Sequence, residues 1–284
     1  METNKSLQII NNAVLLNSQR VNNIGLVSGT MGICLFMYEY ARLIKCSRYE
    51  EVADMLLDEV MDNMNQCSHA DFYSGTPGIS WGVNYLLAHG FAESEDEDMM
   101  EEMNETVKQE IFKLSQSESP SIPSLFPHLY FKERKEVYPL LLDSLSRVLT
   151  KETYFPPSAL LCATYLLNKI NSEQSIPVSV WDNLDRQIEK LKYQTQTERM
   201  MLQTLRKKSL TDLVVTCKKP EKLGELAYQA LLYDFKISLA FDETAFEKYL
   251  QELLSNSNEQ DYLLNGLSGI GLVLLKGICT YEKR

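Results

Sequence analysis

The chain has 284 residues, 44% of them apolar, and a net charge of −11 with a pI of about 4.9. That is an ordinary composition for a globular protein, and it argues against nucleic acid or an anionic membrane as partner, because both select a basic face. No 18-residue apolar run could span a bilayer and no secretory signal is visible in residues 1–18, so the six scattered cysteines (Cys34, Cys46, Cys67, Cys162, Cys217 and Cys279) read as reduced thiols in a cytoplasm.

Taken in order, residues 5–18 read as a short helix with Leu7, Ile10, Val14 and Leu15 on one face. Residues 31–45 are apolar almost all round (Ile33, Leu35, Phe36, Met37, Tyr38, Tyr40), the pattern of a buried helix. Residues 50–66 carry Val52, Met55, Leu56, Val60 and Met64 at helical spacing with acids opposite, so this helix is half exposed. The pairing repeats. Residues 79–89 are a second buried helix. After an acidic run in which Ser94 and Glu97 form a capping box, residues 99–114 are its amphipathic companion. Residues 115–127, rich in Ser and Pro, form a loop leading to the aromatic cluster around His128. Helices follow over 137–149, 158–170 and 180–191, at least one within 195–215, then 223–235, 243–254 and 269–279. No segment reads as an interior strand, so the fold class is all-α.

Three of the buried helices open on the same design. Ser28-Gly29-Thr30-Met31-Gly32-Ile33, Ser74-Gly75-Thr76-Pro77-Gly78-Ile79 and Asn265-Gly266-Leu267-Ser268-Gly269-Ile270 share the pattern [Ser/Asn]-Gly-x-x-Gly-Ile. Thr30 and Thr76 are expected to cap their helices, and Pro77 suits a first helical turn. The first glycine should permit a tight turn, and the second should let another backbone come close. Gly29 and Gly75 lie 46 residues apart, and Gly75 and Gly266 lie 191 apart. A period of about 47 residues marks a helical-hairpin repeat, with about six units in the chain and the middle copies expected to start near 122, 170 and 218.

These residues carry a family resemblance. The stretch from Gly25 to Ile33, the run from Tyr73 to Tyr85 continued by Leu86-Leu87-Ala88-His89-Gly90-Phe91, and the segment from Leu264 to Leu275 resemble lanthionine synthetase C-like proteins. The resemblance covers about residues 20–115 and 260–280. It implies an α/α toroid of about six helical-hairpin repeats, with a central site where the inner-helix glycine loops gather. In active members it also implies a zinc ion there, held by one cysteine that usually follows a tryptophan and by an adjacent Cys-His pair about one repeat later. That zinc activates a peptide thiol for addition to a dehydrated residue, a task that needs soft ligands and an open position.

This chain departs from that pattern. It has no Cys-His dipeptide, Trp81 precedes Gly82, and Trp181 precedes Asp182. Near 170 there is no thiol. Near 218 stands Cys217, followed by Lys218 and Lys219 rather than histidine. Cys67 with His69 is not a standard zinc spacing. No catalytic residue and no metal ligand is therefore assigned. The ligand-contact candidates are Tyr73, Ser74, Thr76 and Trp81 around the second glycine loop, with Ser28 and Asn265 at the matching place in the other two. Against this stands the plainer reading that Thr76 caps a helix and Trp81 fills the core.

The reading is one cytoplasmic toroid domain spanning 1–284 with no cofactor. It is a non-catalytic accessory protein that binds a peptide or protein partner in the maturation of a ribosomally made peptide, without a membrane span or a nucleic-acid partner. Two alternatives stay open: a zinc-dependent thioether cyclase with non-standard ligands, and a metal-free toroid enzyme that acts on carbohydrate through paired carboxylates.

Overall fold

The computed structural model describes residues 5–67, 72–92, 105, 109, 112–113, 116, 122–123, 125–126, 134–191, 196–206, 223–233, 243–256 and 258–275. Every regular element among them is helical: α1 (Lys5–Asn17), α2 (Thr30–Ile44), α3 (Ser47–Asn63), α4 (Thr76–Ala88), α5 (Arg134–Leu149), α6 (Pro157–Glu173), α7 (Val178–Glu189), α8 (Gln196–Arg206), α9 (Leu223–Leu232), α10 (Glu243–Ser255) and α11 (Leu267–Leu275), with 3-10 turns at Ser18–Arg20, Met64–Gln66 and Glu259–Tyr262. The all-α reading holds. The capping box at Ser94 and most of the companion helix over 99–114 lie outside the described residues.

The chain divides into two compact units. The first comprises residues 1–69, 73–82 and 211–284, and the second comprises 70–72 and 83–210. The first unit is built from the two ends of the chain. Here α2 packs on α3, and α11 packs on α9, α2 and α1. The periodicities explain this. From Thr30 to Tyr38, α2 is buried at every position, and α11 is buried from Leu267 to Val273, so each needs neighbours on all sides. The amphipathic α3 buries only Ala53, Leu56 and Val60 and turns its acids outward. Between α2 and α3, the Cys34 thiol donates to the Ala53 carbonyl at 3.5 Å and the Tyr38 hydroxyl donates to Asp54 at 2.6 Å.

In the second unit α6 is the buried helix, enclosed from Ala159 to Leu167, and it packs against α5, α7 and α8. Its position corrects the expected phase of the repeat. Position 170 lies near the end of α6, which starts at Pro157, where the proline suits a first helical turn. The starts of α6 and α8, Pro157 and Gln196, are 39 residues apart, less than the expected period of about 47. The expected start near 122 is a buried turn that includes Ile122, Leu125 and Phe126. The one near 218 lies outside the described residues, and α9 begins just beyond it, at Leu223-Gly224.

Candidate functional site

The first two glycine loops are joined backbone to backbone. The amides of Val27 and Ser28 donate to the Tyr73 carbonyl at 2.9 and 3.2 Å, and the Ser28 hydroxyl donates to the same oxygen at 3.2 Å. Gly25 makes this approach possible, since a methyl group there would lie 2.7 Å from the Tyr73 oxygen. The last loop is built alike. Gly224, near the start of α9, lies against the Asn265 backbone, where a methyl group would sit 2.8 Å from the carbonyl carbon. The first and last loops also adjoin, because a methyl group on Gly32 would fall 2.7 Å from Leu264 Cβ.

Asn23 organises the first loop. Its side chain accepts from the Gly25 amide at 2.7 Å, and its carbonyl accepts the Thr30 amide at 2.8 Å and the Thr30 hydroxyl at 3.2 Å. This corrects two expectations. Thr30 is the first helical residue, Gly29 holds the cap position, and no side chain caps α2. Gly29 has φ −157°, which any residue adopts, so it is needed for its contact with the Asn23 carbonyl and not for a turn. Thr76 likewise opens α4 from inside, and its hydroxyl donates to the Cys67 carbonyl at 3.1 Å.

Of the six candidate residues, Ser28, Tyr73 and Ser74 are brought together by these contacts. Cys67 ties in from below, its thiol 3.4 Å from the Ser74 carbonyl. The Tyr73 ring meets Tyr228 of α9 edge to face, with centroids 6.4 Å apart. Asn265 is exposed beside Gly224. Thr76 and Trp81 are buried, at 4% and 3% exposure, and so belong to the layer beneath. Sequence reasoning missed Asn23 and Tyr228. An Asn two residues before a loop glycine is a turn signal that could have flagged the first, whereas nothing local marks the second.

The described residues do not fit a zinc ion. Cys34, Cys162 and His89 make their contacts away from the glycine loops. Cys34 is fully buried, its thiol pushed far up by burial and next by the Asp54 carboxylate, so it holds its proton. Buried Cys162 lies 3.7 Å from the Ile122 carbonyl. His89 stacks on Tyr85 at 4.0 Å, with Nδ1 2.8 Å from the Tyr85 carbonyl. Among the described residues no three Cys, His, Asp or Glu side chains converge as a metal site. His69, His128 and Cys217 lie outside them.

Residues 20–122 match the family model described as lanthionine synthetase C-like protein. Over that stretch, a little over a third of the chain, it is similar to lanthionine synthetase C-like proteins. The match spans both interlocked glycine loops and the helices they open. No curated protein and no solved structure matches the chain. Among the described residues no helix is long and apolar enough to cross a membrane.

Proposed function

We propose that this lanthionine synthetase C-like chain is a cytoplasmic, non-catalytic accessory protein that binds a peptide, or the protein carrying it, during the maturation of a ribosomally made peptide. The observation that carries this reading is the interlocked pair of glycine loops, in which Ser28, Tyr73 and Ser74 are held by backbone contacts that leave little freedom. Rigid support of this kind keeps polar and aromatic groups in place without a loss of entropy on binding. Ser28, Tyr73, Ser74 and Asn265 are the proposed contact residues, with Thr76 and Trp81 supporting them from within. The same proposal takes residues 1–284 as one α/α toroid, a reading supported by the packing of α11 and α1 beside α2, which brings the last repeat next to the first.

A synthetic peptide bearing one cysteine and one dehydroalanine tests the proposal. With added zinc, the chain should retain the peptide while its thiol stays open to alkylation, read by mass spectrometry, and Tyr73→Ala should weaken retention by about tenfold. Zinc-dependent loss of the free thiol would instead establish the cyclase reading.

A further inference from the structure

The N-terminal helix α1 lies across the place where the two ends of the chain meet. It packs on α11, on the Glu259–Tyr262 turn, on α10 and on α2, so it bridges the helices that carry the first and last glycine loops. Its inner face is thin. Leu7, Ile10, Ala13 and Val14 supply the apolar contact, and Ser6 and Ser18 are also buried. In the middle of that stripe stands Asn11, fully buried, and among the described residues neither its side-chain oxygen nor its nitrogen reaches a hydrogen-bond partner. Leucine would fill this position with more contact and no amide to desolvate. The ion pair of Lys5 with Glu247 at 3.4 Å adds little, because Lys5 is 74% exposed and solvent screens it.

We infer that α1 is a releasable strap, with Asn11 as its built-in weak point, and that it opens ahead of the helices beneath it. Release of α1 uncovers α11 and α2 together and loosens the seam between the first and last glycine loops. A single buried polar group within an apolar helix contact is a known way to set register at the expense of strength.

Hydrogen exchange read by mass spectrometry on the full chain, under native conditions with low urea, tests this. The amides of residues 5–17 should exchange at least roughly tenfold faster than those of α2 and α11, the scale set by one unpaired buried amide. Asn11→Leu should slow exchange in α1 by roughly tenfold and leave α2 unchanged. Asn12→Leu, on the exposed face one residue on, should leave α1 exchange unchanged. Wild-type α1 exchanging in step with α2 and α11 would overturn the inference without recourse to any variant. So would an Asn11→Leu chain whose α1 exchanges faster than wild type, since the amide would then be holding the helix down.

Discussion

The two units of this chain differ in the contacts between their segments, although side chains such as Tyr38 on Asp54 contribute in the first as well. In the first, neighbouring segments meet backbone to backbone, with Gly25 on the Tyr73–Ser74 peptide, Gly224 on Asn265 and Gly269 on Leu264. The second is joined by side chains. Phe72, Phe126 and Tyr165 form a row with centroids 5.5 and 5.4 Å apart. Gln187 donates to the carbonyls of Leu149 and Lys151 at 2.9 and 2.6 Å, and Asn168 donates to Leu205 at 2.6 Å. Arg206 grips Asp185 through two hydrogen bonds while lying 4.6 Å over the Trp181 ring. A backbone contact tolerates one residue type, whereas a side-chain contact can be made by many. The glycine inventory follows this division, for no glycine occurs between Gly90 and Gly224.

The largest expected effect comes from breaking a backbone contact. Gly269→Val would drive a branched side chain into the Leu264 carbonyl and should cost about 3–5 kcal/mol, or the fold itself, in urea denaturation. A loss under about 1 kcal/mol would show that these contacts can relax and would erase the contrast between the units. Breaking a side-chain contact should cost less. Gln187→Leu strands two carbonyls and should lower stability by about 1–3 kcal/mol.

Alkaline pH acts on the first unit. Burial, aided by Asp54, raises the Cys34 thiol, and burial with the hydrogen bond to Asp54 raises the Tyr38 phenol. Groups whose folded values lie above the unfolded ones contribute stability below the unfolded value and lose it as pH rises. Stability should therefore decline above a pH of about 9 through Cys34 and above about 10 through Tyr38, by at most about 1.4 kcal/mol per pH unit for each group, and Cys34→Ala should flatten the slope between the two. A flat profile up to pH 10.5 would contradict the burial of the Cys34 thiol. The smallest effect belongs to Arg206→Ala. Its pair with Asp185 is 34% and 43% exposed, so the loss should be about 0.5–1 kcal/mol and should shrink in high salt.

The same contrast explains what could be read in advance. Apolar periodicity gave nearly every described helix to within a few residues, because burial all round (α2, α6, α11) or on one stripe (α3, α7) leaves a direct mark on composition. The glycine loops were legible because a Cβ is excluded there. The middle repeats were not, because Gln187, Asn168 and the Phe126 row do the work that glycine does elsewhere and carry no periodic signature. Of the candidate contact residues, Ser28, Tyr73 and Ser74 were marked by the motif, and the structure brings them together. Thr76 and Trp81 were drawn in by proximity in sequence, although their side chains point into the fold. Tyr228 comes from a segment 155 residues beyond Tyr73, and only folding brings the two rings together.

The central claim is that the gathered glycine loops form a rigid binding surface and not a metal centre. Elemental analysis of the full chain, purified without chelator or histidine tag and passed through gel filtration, tests it most directly. The account predicts zinc well below one ion per chain. One tightly held zinc per chain would contradict it and would direct attention to Cys217 and Cys67 as ligands.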